Sequence, residues 1–399
     1  MRAWYKRVYI DLEGEIPEDA PVIFASTHPN SAIDYLYAPF VTNKPCHVLV
    51  RGDVFKKPAL NWIFRSIWML PVYRIRDGYS SLKYNDQSFK ECYDEFDRNG
   101  HVLIFSEGTS VQEKKVQPIR KGTARLALDY ALKHGTKEIY IVPVASNYTR
   151  FRAFRSSVMV NFRKPIDVRT YAEAYTENPN LAYNKLTQDI SESINTGFVT
   201  FDNYDDDSAE EKALMALRLN RTTTSTRWLS KNAAFFQEEK LFANSMNSQS
   251  GLKNEVADAL HEGLNIYQEG WLARQTPRGM LYLKLLLIAP FMLAAGLTVI
   301  IPRLISNWIV KKKIKDVLFQ NTVTVMGNTL FYLIQWLVVL FVSIAMFGWQ
   351  GLILPLSMLL ITMIGVELVD EFLFAYYNLS SASKTEAISD LYEQVKASA

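Results

Sequence analysis

The spacing of apolar residues divides the chain into two unlike regions. Up to about residue 167, short apolar runs alternate with stretches in which apolar residues recur at helical spacing. The short runs, which predict buried strands, are 22–25, 47–50, 102–105, 138–142 and 158–162. The helically spaced stretches are 83–98, 122–134 and 171–198. Strands that alternate with helices predict an α/β fold built on an open, mostly parallel sheet flanked by helices.

Beyond residue 281 the apolar runs become long and almost uncharged. Residues 328–369 hold two such runs joined by an uncharged turn, each with about the 20 residues that a helix needs to cross hydrocarbon. They predict a membrane hairpin. Residues 303–318 combine clustered lysines with apolar residues at helical spacing, which predicts a basic helix in the plane of the headgroups.

The first long run, 281–302, presents a topological conflict. If this run crossed the membrane fully, the α/β region and the lysine cluster would lie on opposite sides. Basic residues that flank a membrane helix favour the cytoplasmic side, so such a crossing is disfavoured. We therefore expect this run to be re-entrant, with a break at Pro290 or Gly296, or to lie shallowly in the bilayer. The α/β region would then face the cytosol at the cytoplasmic membrane.

These patterns predict a division of the chain into an α/β domain over 1–200, a helical linker or accessory region over 201–275, a membrane region over 276–375 and a cytosolic tail over 376–399. The net charge of +3 in 399 residues is too small to indicate a nucleic-acid partner, so membrane lipids are the expected partner. Cys46 and Cys92 are expected to be reduced and buried. The five histidines lack zinc-ligand spacing, and neither a metal nor a cofactor is expected.

The first candidate for chemistry is His28, which follows a predicted buried strand, with Asp34 six positions later. In one continuous helix the two side chains would not share a face, so they meet only if the turn between them bends back. If they meet, Asp34 can fix the imidazole tautomer while His28 accepts a proton from a hydroxyl, as a general base does. Taken alone, such a pair is more often a capping histidine beside an unrelated aspartate.

A second candidate cluster follows the predicted strand 102–105, at the edge where open α/β sheets bind ligands. Glu107, Gly108 and Thr109 form a turn, in which the glycine lets a substrate approach the backbone closely. Lys121 adds a cation beside a predicted helix N-terminus, which favours an anion.

Arg74 and Arg76 supply further cations, and a guanidinium can bind a phosphate through two parallel hydrogen bonds. A basic turn is usually only solvated. The cations indicate a phosphate-bearing substrate only in combination with the candidate base.

Four segments in order make the chain similar to the glycerophosphate acyltransferase superfamily, in particular to the bacterial glycerol-3-phosphate and 1-acylglycerol-3-phosphate acyltransferases. The segments are 27–34, 70–74, 105–110 and 142–144. Two positions depart from the common pattern of that superfamily. Five residues, rather than four, separate His28 from Asp34, and Ser106 replaces a proline. Both departures bear on the identity of the acyl acceptor.

The resemblance implies roles for residues of an acyltransferase catalytic domain over 1–200. His28 would be the base and Asp34 its orienting partner, and Arg74 would bind the phosphate. Glu107 and Gly108 would contact the glycerol backbone. The residues that it places on the acyl-donor side are Val142, Pro143 and Val144.

The function implied by the resemblance is that of a membrane-bound O-acyltransferase in phospholipid biosynthesis. It would transfer a fatty acyl group from acyl-CoA or acyl-carrier protein, as a thioester co-substrate, to glycerol-3-phosphate or 1-acylglycerol-3-phosphate. The motif Gly-x-Ser-x-Gly is absent, which favours direct transfer without a covalent acyl-enzyme. Two alternatives stay open: an O-acyltransferase for another lipid acceptor, such as an amino-acid lipid, and a non-catalytic membrane scaffold that binds lipid.

Overall fold

The structure is a computed structural model that describes residues 5, 7–73, 84–133, 137–151, 156–202, 214, 229–230, 234–248, 277–314 and 317–380. Arg74 and Arg76 lie outside the described residues, as do the end of the predicted tail and most of the predicted linker region.

One mixed sheet forms the centre of the amino-terminal domain. Its strands are β1 (Arg7–Leu12), β2 (Val22–Ser26), β3 (Cys46–Arg51), β4 (Met69–Val72), β5 (His101–Phe105), β6 (Tyr140–Tyr148), β7 (Ser157–Phe162), β8 (Ile166–Asp167) and β9 (Leu229–Ser230). Within the described residues the strand order is β4-β3-β5-β2-β6-β7-β1-β9, with β8 paired to β6. The strands from β4 to β6 are mutually parallel, and β7 pairs antiparallel to β6. The predicted open, mostly parallel sheet is confirmed.

The five predicted strands correspond to β2, β3, β5, β6 and β7. All five residues of β2 are buried, because a central parallel strand is covered on both faces. The sequence pattern missed β1, whose charged Arg7 and Asp11 interrupt its apolar residues, and β4, which contains Pro71.

Helices cover both faces of the sheet. They are α1 (Tyr37–Thr42), α2 (Pro58–Ser66), α3 (Asn85–Phe96), α4 (Gly122–Leu132), α5 (Ala172–Glu177), α6 (Pro179–Thr196) and α7 (Ala234–Ser248). Residues from α3, α4 and α6 pack into a first apolar core on one face, and residues from α1 and α2 pack into a second apolar core on the other. The stretch predicted as helical over 171–198 divides at Asn178, which is extended and caps α6.

Three long helices follow: α8 (Arg278–Lys313), α9 (Val317–Phe347) and α10 (Ile353–Ser380). By length and composition, Arg278–Lys313 and Thr322–Leu373 are long and apolar enough to cross a membrane, and each contains an 18-residue stretch with a mean hydropathy of 2.4. Helix α8 contacts both of the others. Thr298 of α8, for example, hydrogen bonds Thr362 of α10 between their hydroxyls at 2.8 Å.

Helix α8 runs without interruption through Pro290 and Gly296, so the prediction of a re-entrant break is wrong. The basic segment 303–313 continues this same helix and does not form a separate one. A proline removes one backbone hydrogen bond, but contacts with neighbouring helices keep an apolar helix continuous around it. The shallow placement of α8 and the membrane hairpin of α9 and α10 stay predictions.

Candidate active site

The segment after β2 positions the candidate base. Thr27 anchors the segment to β6: its N–H donates to the carbonyl of Val144, and its hydroxyl accepts the N–H of Ser146, each at 3.1 Å. The chain then enters a short 3₁₀ helix, Ser31–Leu36. This tight turn bends back, and the Nδ1 atom of His28 lies 3.4 Å from the Oδ2 atom of Asp34. The structure therefore brings the two residues together.

Asp34 is buried and held by two donors. Its Oδ2 atom accepts the backbone N–H of Asn30 at 2.7 Å, and its Oδ1 atom accepts the hydroxyl of Tyr148 at 2.6 Å. Because the hydroxyl of Tyr148 donates to Asp34, it accepts the hydroxyl of Tyr37, at 2.9 Å. Burial, together with the nearby Asp34, raises the pKa of both phenols well above the ordinary value. Both tyrosines therefore stay protonated, as donors to a carboxylate must.

The His28 ring lies between Asp34 and Phe105 of the neighbouring strand β5. It stacks on Phe105, with ring centroids 3.6 Å apart and planes inclined by 19°. Nδ1 makes no hydrogen bond within the described residues, although it faces Asp34 at 3.4 Å. The side chain is 19% exposed. With Nδ1 on the carboxylate side, Nε2 is the nitrogen available to a substrate hydroxyl.

Hydrogen bonds between side chains and the backbone join the His28 segment to the turn after β5. The buried carboxylate of Glu107 accepts the N–H of His28 on Oε2 at 2.8 Å and the N–H of Gln117 on Oε1 at 3.0 Å. The hydroxyl of Ser110 donates to the carbonyl of His28 at 2.6 Å. Burial raises the pKa of Glu107 to about 7. Glu107 thus fixes the position of the His28 segment through hydrogen bonds to the backbone. Its contact with the glycerol backbone stays a prediction.

The turn itself requires glycine at one position. Gly108 has a φ of +67°, in the left-handed region that side chains rarely adopt. A Cβ atom there would also lie 3.3 Å from Cγ of Arg120. Thr109 beside it is half-buried, whereas Lys121 is exposed at the start of α4. Arg120 is therefore a cation packed on this turn, next to Lys121 in the sequence.

Val142, Pro143 and Val144 are in β6 beside β2, and all three are buried. Val142 has no exposed surface and Val144 is 3% exposed, so neither offers a surface to an acyl donor. These side chains therefore pack within the sheet, and their predicted place on the acyl-donor side stays a prediction.

The two donors to Asp34, Asn30 and Tyr148, carry no signal in the sequence, and neither does Tyr37, which hydrogen bonds Tyr148. The hydrogen bond from Tyr148 to Asp34 joins positions 114 residues apart, and local patterns cannot reveal such a pair.

The two cysteines, Cys46 and Cys92, are buried and free, as predicted. Within the part of the chain that the structure describes, no group of three or more metal-ligating side chains occurs.

Part of the chain is similar in sequence to known acyltransferases. Residues 7–147 match the family model described as Acyltransferase. Glycerol-3-phosphate O-acyltransferase 2 of Saccharomyces cerevisiae is 27% identical over 183 residues, which are 45% of this chain and 20% of that protein. Glycerol-3-phosphate O-acyltransferase 1 of the same yeast is 30% identical over 125 residues, or 30% of this chain and 16% of that protein.

A solved structure, that of the 1-acyl-sn-glycerophosphate acyltransferase of Thermotoga maritima, aligns with a TM-score of 0.35 at 17% identity, covering 48% of this chain and 70% of that one. Over residues 7–147 the chain is therefore similar to acyltransferases, and both of these yeast relatives are named as glycerol-3-phosphate O-acyltransferases. The chain spans a fifth or less of the length of the two yeast relatives.

Proposed function

We propose that the chain is a membrane-bound O-acyltransferase that moves a fatty acyl group from a thioester donor to a hydroxyl of a glycerophosphate. The observation that carries this proposal is the 3.4 Å approach of His28 Nδ1 to Asp34 Oδ2. It occurs at the carboxyl end of β2, beside the turn after β5, where parallel sheets bind substrates. The similarity of the domain to acyltransferases supports the reaction class.

In the proposed reaction, Nε2 of His28 accepts the proton of the acceptor hydroxyl as the oxygen attacks the thioester carbonyl. The new C–O bond forms, the C–S bond breaks, and the leaving thiolate takes the proton back from the imidazolium. Asp34 stabilises that imidazolium, because its carboxylate is already oriented by Asn30 and Tyr148. A general base contributes about 10²–10⁴-fold, so positioning of the two substrates supplies much of the remaining acceleration.

The phosphate of the acceptor would be bound by cations near the turn after β5. Arg120 packs on Gly108, and Lys121 lies beside it at the start of α4. Arg74 and Arg76 remain candidate phosphate ligands on the grounds of sequence. The names of the two yeast relatives support a glycerophosphate as the acceptor. Acyl-CoA or acyl-carrier protein is the donor that we propose, and phospholipid biosynthesis is the proposed context.

Membrane attachment would come from α8, α9 and α10, whose exposed surfaces are largely apolar. A domain held at the bilayer surface can take up an acylated acceptor or release an acylated product directly into lipid. We propose that the domain faces the cytosol, the compartment that contains both candidate acyl donors.

The function is tested with the full chain in detergent, a radiolabelled acyl thioester, and glycerol-3-phosphate or its 1-acyl derivative as acceptor. His28→Ala should lower the transfer rate by about 100-fold or more, because the general base is lost. His47→Ala is the matched control: this histidine is also partly exposed but lies near Glu95, outside the site. An unchanged rate in His28→Ala would refute the assignment of the base. Transfer to an amino-acid lipid but to neither glycerophosphate would refute the acceptor.

A further inference from the structure

Helix α2 presents apolar side chains to solvent on the second face of the sheet. None of its residues is buried. Trp62 is 74% exposed, Ile63 44% and Leu60 37%, and Trp68, just beyond the helix, is 47% exposed. We call these four residues the tryptophan face. Two exposed indole rings and two aliphatic side chains within nine residues of chain make a surface for which water is a poor solvent.

The tryptophan face lies on the side of the sheet where α9 joins the domain. Phe64 of α2 and Ile67, just beyond the helix, pack against the second apolar core, and Val325 of α9 packs against that same core. Helix α9 also contacts the 3₁₀ helix that carries Asp34. Further along, α9 exposes leucines such as Leu330, which is 55% exposed. The apolar surface of α9 and that of α2 therefore flank one face of the domain.

The residues around the tryptophan face suit a bilayer with anionic headgroups. Lys56 and Lys57 are exposed immediately before α2. Tryptophan is the residue type enriched at membrane interfaces, where the ring is in apolar surroundings and its N–H meets polar headgroups. Lysines near such a surface add attraction to anionic lipids. A protein partner would require neither the shared face with α9 nor this charge.

We propose that the tryptophan face inserts into the headgroup region of the bilayer, as a second membrane contact besides α8, α9 and α10. Helix α2 belongs to the crossover from β3 to β4, whose carboxyl ends point toward the active-site edge of the sheet. Insertion of α2 would hold that edge at the surface from which a lipid substrate arrives. This inference rests on the membrane attachment in the proposed function.

The test uses the full chain reconstituted into vesicles of phosphatidylcholine and phosphatidylglycerol, with an environment-sensitive fluorophore on single introduced cysteines. Cys46 and Cys92 are buried and so are protected from labelling. The three variants are Trp62→Cys, Leu181→Cys and Val338→Cys. Leu181 is the matched control, because it is an apolar residue that is 48% exposed on α6, over the first apolar core. Val338 reports on α9 itself.

Lipids that carry a quencher in the acyl chain near the headgroup should quench the label at position 62 about threefold more strongly than the label at position 181. Equal quenching at the two positions would overturn the inference. If the label at position 62 has the emission expected in water while the label at position 338 is strongly quenched, the inference about α2 is overturned. The membrane attachment of α9 would still hold. Water-like signals at both 62 and 338 would overturn both. A buried signal at 62 that lipid quenchers do not reach would show a protein partner or a second copy, and would also contradict the inference.

A second measurement concerns activity. Trp62→Ser combined with Trp68→Ser should lower the transfer rate to an acceptor embedded in vesicles by about tenfold, because the domain is held less firmly at the surface. With a water-soluble acceptor in detergent, the rate should stay unchanged, since neither tryptophan belongs to the site. An equal loss in both assays, or no loss in vesicles, would contradict the role of this face.

Discussion

Asp34 is oriented by two donors, Asn30 and Tyr148, and Tyr37 hydrogen bonds the second of them. Asn30 belongs to the same turn, Tyr148 ends β6, and Tyr37 begins α1. A buried carboxylate needs such donors, because burial without them would cost it several kcal/mol (about 1–3 per unmade hydrogen bond). The same donors fix the direction in which the carboxylate faces His28.

Tyr148→Phe should lower kcat/KM by about tenfold, the worth of one hydrogen bond to a charged group. Without the hydroxyl, the carboxylate of Asp34 bears more charge toward His28 and favours the imidazolium, which is not the form that accepts a proton. The acidic limb of the pH profile of kcat/KM should therefore shift to higher pH. Steady-state kinetics between pH 5 and pH 9 measures both effects.

Tyr37→Phe is the matched control for this experiment, because it removes one hydroxyl from the same buried cluster but keeps the bond between Tyr148 and Asp34. Its pH profile should coincide with that of the unaltered protein. Identical profiles for all three proteins would exclude a positioning role for Tyr148.

Glu107 makes the stability of the domain depend on pH. An unperturbed glutamate titrates near 4.5, and burial raises the pKa of Glu107 to about 7. The favourable contribution of Glu107 to the free energy of unfolding is therefore fully present below pH 4.5. It is lost as the pH rises through about 7. Compared with Glu107→Gln, the unaltered protein should lose about 3 kcal/mol of stability over that interval.

The measurement is the thermal unfolding midpoint of the full chain in detergent from pH 4.5 to pH 8. Glu113→Gln is the control, since this glutamate is in the same loop but exposed. Parallel pH curves for Glu107→Gln and the unaltered protein would show that the carboxyl of Glu107 does not titrate in this range.

At the scale of elements, the long helices pack through small residues. A Cβ atom at Gly365 of α10 would lie 2.4 Å from the Cβ of Ala295 in α8, whereas a Cβ at Gly296 would meet no atom within 4 Å. Side-chain hydrogen bonds at the same crossing join Thr298, Thr362 and Tyr332. Close backbone approach and polar contacts are the means by which helices associate in lipid, where the hydrophobic effect between them is weak.

Gly365→Ala should destabilise this packing by about 1–3 kcal/mol, the usual cost of an inserted methyl group that must displace its neighbours. Gly296→Ala should leave it unchanged or slightly more stable, because alanine favours a helix. Thermal unfolding of the two variants in detergent micelles compares them directly. The reverse order of stabilities would contradict the contact between α8 and α10.

At the scale of the whole molecule, the contacts favour a shallow position for α8. Helix α7, which precedes α8, hydrogen bonds the catalytic domain through Asn247, whose side-chain oxygen accepts the N–H of Asp202 at 3.2 Å. After α8 the chain returns to the domain through Val325. Residues 249–276 between α7 and α8 include no apolar run long enough to cross a bilayer. We therefore predict that both ends of α8 lie on the same side of the membrane as the domain.

We predict that tags at position 1 and at position 310 lie on the same side of sealed vesicles. Protease accessibility, before and after permeabilisation, measures the side of each tag. A third tag in the turn Gly348–Leu352, between α9 and α10, should be accessible only from the opposite side. Opposite accessibility of positions 1 and 310 would show that α8 crosses.

The sequence alone determined the parts of this protein that depend on local pattern. Uninterrupted apolar runs predicted the central strands, because parallel strands covered on both faces have no polar side. Four ordered segments indicated the resemblance to glycerophosphate acyltransferases, and the long apolar runs predicted the terminal helices. Continuity of α8 through Pro290 could not be predicted, since it depends on neighbouring helices.

The tertiary structure decided how the candidate site is assembled. A 3₁₀ turn brings His28 to Asp34, and Tyr148 reaches the same carboxylate across 114 positions of the chain. The tertiary structure also buries the carboxylate of Glu107, which accepts the N–H of His28, and it buries Val142 and Val144 in the core. Hydrogen bonds between distant residues depend on sheet order and register, which local periodicity does not encode. For that reason the sequence predicted His28 and Asp34, the candidate catalytic side chains. It did not predict Asn30 and Tyr148, the groups that orient Asp34.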